Sequence, residues 1–219
     1  MRPASDVLVK PRLRGVSHEV TFYLTAVACA VLIPLAPAGV ATLAAAIYGA
    51  SVVTLFGTSA LYHRPNWSPQ ARNLMRRLDH AAIFVLIAGS YTPICLVAMP
   101  PERGWFLAAL VWGSSLVGIL RAIFWPHAPR WFTAATYIAV GWMLAFEWSA
   151  VGEGLGPTRL GLILAGGVLY SLGALVYARR WPNPAPEVFG YHEIFHALVV
   201  AAALCHFAAL GSVIAAGAA

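Results

Sequence analysis

The hydrophobic and polar positions of this chain fall into seven long apolar runs separated by short polar breaks: 19–35, 40–62, 79–99, 105–124, 131–148, 158–178 and 191–214. Prolines punctuate the breaks, at Pro34 and Pro37, Pro65 and Pro69, Pro100 and Pro101, Pro126 and Pro129, Pro157, and Pro182, Pro184 and Pro186, and each removes a backbone donor that a continuing helix needs. Every run is close to the ~20 apolar residues that carry a helix across a bilayer. Trp67, Trp105, Trp125, Trp131, Trp148 and Trp181 stand at run ends, where an indole prefers the membrane interface. The pattern predicts an all-α, polytopic bundle of seven transmembrane helices over 19–214, with an N-terminal tail over 1–18 and a short C-terminal tail over 215–219.

Composition removes the soluble alternative. Hydrophobic residues make up 60% of the 219 positions and charged residues only 10%, far from the balance of ordinary soluble domains. Seven spans leave no room for a separate soluble domain. A formal charge of +6 would admit nucleic acid or anionic lipid as partner, but the basic residues are divided among short loops and form no stripe, so membrane lipids are the expected partners and nucleic acid is not. Cys29, Cys95 and Cys205 fall inside apolar runs without paired spacing, as small buried hydrophobes and not a disulfide framework.

Charge distribution then orients the bundle. Counted by alternate breaks, Lys and Arg number four in the tail, four from Arg64 to Arg77, two at Arg121 and Arg130, and two at Arg179 and Arg180, while the intervening breaks hold only Arg103 and Arg159. The positive-inside rule therefore predicts a cytoplasmic N-terminus and an outside C-terminus, in the cell membrane. The basic front and the Ala36-Pro37-Ala38 end of the first run also resemble a signal sequence. An uncleaved first helix is expected, because its length is close to spanning and His18 and Glu19 stand at its mouth.

This parity sets the depth of each polar residue. Ser59-Ala-Leu-Tyr-His63 closes the second run on the cytoplasmic side, Leu78-Asp79-His80 opens the third there, and Tyr191-His192-Glu193-Ile194-Phe195-His196 opens the seventh. Residues four apart share a helix face, so His192 and His196 point together, as do Ser59 and His63. His63, His192 and His196 are the expected ligands of a zinc ion with an open fourth position. Asp79 and Ser59 are the expected catalytic residues, placed to hydrogen-bond a ligand imidazole or the open position. The competing reading is a buried hydrogen-bonded His and Asp cluster without metal, which is less favourable because a lone carboxylate at this depth needs a cation or a proton. His80 is a weaker ligand that could exchange roles with Asp79. His206 lies about 21 Å beyond His192 on a helix and is expected to be hydrogen-bonded near the far side. His18 enters at the cytoplasmic end of the first run, where an interfacial place is favoured over one bordering the site; His127 is expected at the surface, and Glu147 at the interface near the outer end of the fifth run. Gly161, Gly166, Gly167 and Gly173 are read as close-packing positions, and Pro93 as a bend in the third helix.

These motifs, together with Ile83-Phe84 and Ala88-Gly89-Ser90-Tyr91-Thr92-Pro93, resemble the signature set of the hemolysin III family, which groups with the progestin and adipoQ receptors. The resemblance runs from about His18 to His206. It implies a seven-helix bundle with a zinc ion near the cytoplasmic face at His63, His192 and His196, and it matches Asp79 and Ser59 to the accompanying aspartate and serine. Many members carry a Glu and an Asn seven and four residues before the first-helix histidine, where this chain has Pro11 and Arg14.

Two functions fit. One is a zinc-dependent hydrolase of amide or ester lipids, similar to the ceramidase-like activity associated with the receptor branch. The other is a non-enzymatic membrane-homeostasis or sensing protein in which zinc ties helices together. A pore-forming haemolysin fits less well, since a bundle buried in its own membrane has no insertion step.

Overall fold

The apolar runs all become helix, because backbone withdrawn from water must satisfy its own N–H and C=O groups within the segment. A computed structural model describes residues 10–217, in the order α1 (Val16–Leu35), α2 (Val40–His63), α3 (Pro69–Pro93), α4 (Pro101–Phe124), α5 (Arg130–Gly141), α6 (Trp148–Arg179) and α7 (Tyr191–Ala216). A π turn over Ile94–Ala98 follows α3 and a 3₁₀ turn over Met143–Glu147 links α5 to α6. The only bridge among the described residues joins Ala185 to Phe189, and no sheet forms. Residues 1–9 of the expected tail and residues 218–219 lie outside the described part.

Six helical stretches are long and apolar enough to cross a membrane, one fewer than the apolar pattern predicts. The difference lies in Arg130–Arg179, which forms one such stretch of 50 residues. The break expected between 152 and 157 is helical except at Gly156, whose φ of 71° and ψ of 171° leave the helical region. A residue without Cβ takes that conformation at little cost, and Pro157 then starts the next helical turn with no donor to lose. The other boundary shift is at α3, which begins well before its apolar run. Ser68 caps it by accepting from Ala71 N at 3.3 Å, with Pro69 at its first position. Its first turns carry Gln70, Arg72 and Asn73, so hydropathy does not register them.

This bundle is apolar on its outside as well as in its interior. Tyr23, Leu24, Val27 and Leu35 on α1 and Phe106, Val117 and Phe124 on α4 all face outward, a continuous apolar girdle that only hydrocarbon solvates well. The chain is a multi-span membrane protein. Tyr48, Phe56, Phe84, Leu107, Leu210 and Ile214 fill the interior. Helix α7 sits at the hub, packed on α6 most extensively and also on α1, α2 and α3. Tyr91 pins the end of α5: its hydroxyl donates to Gly141 O at 2.7 Å and accepts from Leu144 N at 2.8 Å. Pro93 does interrupt the third helix, which widens into the π turn that follows it.

The described part of the N-terminal tail is not a free end. Arg12 N and Leu13 N donate to Glu187 O and Val188 O at 2.9 and 3.2 Å, strapping residues 10–15 across the loop that leads into α7. Gly15 is the hinge of that strap, with φ at 78° and so little room that a Cβ would stand 2.6 Å from His63 Cβ.

Candidate metal centre

Three imidazoles converge where the last turn of α2 meets the first turns of α7. His63 ends α2, and the four-residue spacing puts His192 and His196 on the face of α7 turned toward it. His63 Nε2 and His192 Nε2 are 3.2 Å apart. The ring centroids of His192 and His196 are 4.5 Å apart, and those of His63 and His196 are 5.0 Å apart. One nitrogen from each ring lies within 4.8 Å of the others. Zinc held by imidazoles at ~2.0–2.1 Å in a tetrahedron would place its nitrogens about 3.4 Å apart, so the observed separations suit an ion of that size. Without a cation, two lone pairs facing across 3.2 Å need a shared proton. The three residues are therefore able to hold a metal ion. Asp79 is not within this group of donors.

His18 is the main departure from the sequence reading. It does not lie at the interface: it is only 3% exposed, stacks on His196 with ring centroids 3.7 Å apart, and places Nδ1 2.8 Å from Ser59 Oγ. The cause is the strap, which carries α1 over His63 at Gly15 and turns the first helical residues inward. His18 and Phe56 also meet edge to face at 5.0 Å. Ser59, 2% exposed, is thus held by an imidazole of α1.

Ser59, Asp79, His18 and His196 line one end of a cavity of about 120 Å³, whose far end is lined by Tyr170 and His206. The remaining wall is largely aliphatic and aromatic, with Leu55, Ile83 and Val199 among its residues. His80 faces Tyr177, with ring centroids 6.5 Å apart, and takes no part in the cluster. His206 is well separated from the three histidines, with Nε2 3.1 Å from Ile163 O. A carbonyl only accepts, so Nε2 carries the proton. Gly166 makes room for that ring, since a Cβ there would sit 2.3 Å from His206 Cδ2. His127 is exposed, as expected. Glu147 pairs with Arg103 at 2.7 Å, and 12% of its side chain is exposed.

Sequence reasoning missed Glu193, which is 4% exposed between the two α7 histidines. Its carboxylate accepts from Gly190 N at 2.8 Å and from Arg14 Nε at 2.5 Å. Arg14 is the position that departs from the common family pattern, and here it supplies the cation that a buried carboxylate requires. The signal was present: an acid inside an apolar run needs a partner, and Arg14 lies on the same side by parity. Lys10 Nζ adds a second tie, donating to Arg64 O at 2.7 Å.

The family described as Haemolysin-III related matches residues 7–207 of this chain. Hemolysin-3 of Bacillus cereus is 37% identical over 139 residues, covering 63% of this chain and 62% of that protein, so the chain aligns with just under two thirds of that relative. Hemolysin-3 homolog of Bacillus subtilis strain 168 is 29% identical over 161 residues, covering 74% and 72% respectively. Adiponectin receptor protein of Drosophila melanogaster is 27% identical over 201 residues, covering 74% of this chain and 41% of the other.

Proposed function

The chain belongs to the haemolysin-III related family, and from that membership we propose that it is a seven-span protein of the cell membrane, with its N-terminus in the cytoplasm, that hydrolyses an amide or ester lipid with a resident zinc ion. The observation that carries the reading is that one of the three clustered imidazoles, His196, also lines an apolar cavity whose wall presents the Asp79 carboxylate and the Ser59 hydroxyl. Two physical arguments support the topology. A stretch of 50 residues would be about 75 Å long as one helix, more than twice a bilayer core of about 30 Å, and Gly156 supplies a break for two crossings. The lysine and arginine bias supplies the direction.

His63, His192 and His196 would hold the zinc. When bound there it supplies Lewis-acid polarisation of a carbonyl and a lowered pKa for water. Three imidazoles without a carboxylate leave a position open, which favours catalysis over a structural ion with four protein ligands. Asp79, on the cavity wall, serves as general base and orients the attacking water. Ser59 hydrogen-bonds near the scissile group, its hydroxyl fixed by His18 Nδ1. The aliphatic wall beyond Ser59 holds a hydrocarbon chain and excludes bulk water from the carbonyl.

The test is lipid mass spectrometry of membranes incubated with purified wild-type protein or with a His192→Ala, His196→Ala variant. Cleaved lipid from the wild type alone supports the hydrolase. Zinc present in the wild type with identical lipid profiles from both proteins would contradict it and favour a structural ion.

A further inference from the structure

Arg14 and Arg64 on the basic face are paired with Glu193 and Glu19, but three other arginines of that face are not. On the face that carries few arginines, Arg103 pairs with the Glu147 carboxylate at 2.7 Å, and Arg159 donates to Ser212 Oγ at 2.9 Å and Ser212 O at 3.2 Å. On the basic face, Arg76 on α3, Arg121 on α4 and Arg130 on α5 have no carboxylate partner among the described residues.

The contacts of Arg121 and Arg130 are with neutral groups. Arg121 donates to Thr133 Oγ1 at 3.3 Å and Thr136 Oγ1 at 3.4 Å, and its guanidinium carbon lies 5.7 Å from the Phe84 ring centre. Arg130 donates to the Tyr191 hydroxyl at 3.0 Å and stands 5.2 Å over the Tyr177 ring. Both guanidinium groups therefore rest against aromatic rings. Tyr137 donates to His80 O at 3.2 Å and His80 faces Tyr177 with ring centroids 6.5 Å apart, which joins this layer to α3, where Arg76 lies one turn before His80 on the same helix face. Buried Nε atoms of Arg77 and Arg121 and Nδ1 of His80 have no hydrogen-bond partner. Aromatic rings and threonine hydroxyls position a guanidinium but leave its charge uncompensated, and the fork matches a phosphate. Beside this notch, Leu74, Trp125 and Trp131 are 57%, 50% and 68% exposed, an apolar skirt of the kind that acyl chains and glycerol backbones cover.

We propose that Arg76, Arg121 and Arg130 form a site for the phosphate of an anionic phospholipid, seated at the junction of α3, α4 and α5 with its chains along Leu74 and Trp131. The site rests on the helices crossing a bilayer and not on the zinc chemistry, so either assignment can fail alone.

The experiment is native mass spectrometry of the purified protein with dioleoyl phosphatidylglycerol, dioleoyl phosphatidylcholine or inorganic phosphate. Wild type retains phosphatidylglycerol selectively, and an Arg121→Gln, Arg130→Gln variant loses about tenfold or more in that affinity. Arg130→Lys, which keeps the charge but not the fork or the ring contact, gives an intermediate loss. Arg159→Gln, on the other face, changes nothing. If the double variant does not fold, Arg76→Gln takes its place and shows the same direction. Equal retention of the two lipids, or a variant with unchanged selectivity, overturns the site. Displacement of the lipid by inorganic phosphate at equal concentration overturns the lipid assignment in favour of a free anion.

Discussion

At the N-terminal end of α7, His192 and His196 meet a third imidazole from α2; further along the same helix, His206 meets only the Ile163 carbonyl. Both regions put imidazole into an apolar interior where a polar group needs a partner. At His206 a backbone acceptor fixes the proton on Nε2 and one helix supplies the ring. At the other end the partner is an imidazole from a second helix, and one nitrogen from each of three rings lies within 4.8 Å of the others. Convergence from two helices, and not histidine in a span, is what makes a cation site.

The comparison is sharpened most by removing what holds the convergent end together. Arg14→Ala strands the buried Glu193 carboxylate next to two proposed ligands. It is expected to cost about 2–3 kcal/mol, below the full value for a buried pair because 21% of the Arg14 side chain is exposed. Zinc retention should weaken with it, and denaturant melts with metal analysis check both. Gly15→Ala introduces a side chain at positive φ against His63. An expected cost of about 1–2 kcal/mol, with weaker zinc binding and no change at His206, can be followed by thermal melts and metal content. His206→Leu removes one hydrogen bond and one unpaired nitrogen, so stability should shift by no more than about 1 kcal/mol and zinc should not move. Loss of zinc in His206→Leu would break the distinction between the two regions.

Much of this arrangement was legible before the structure. Hydropathy located the helical stretches, though it divided Arg130–Arg179 differently from the structure, and the i, i+4 spacing put His192 and His196 on one face toward His63. Three features were not legible, for physical reasons. The first turns of α3 are polar and hold by a Ser68 cap, which a hydropathy pattern does not see. The break expected near 152–157 shrank to one residue because only Gly156 takes a non-helical conformation. His18 looked interfacial because its depth depends on the strap over residues 10–15, a tertiary feature set by Arg14, Gly15 and the loop at Glu187 and Val188.

The central claim is that His63, His192 and His196 hold one metal ion. Its most direct test is the zinc content per chain of purified wild type beside His63→Ala, His196→Ala and His206→Leu variants. The account predicts about one zinc in wild type and in His206→Leu, with its loss in the other two. Equal zinc in all four proteins, or none in the wild type after purification with zinc present, would contradict it.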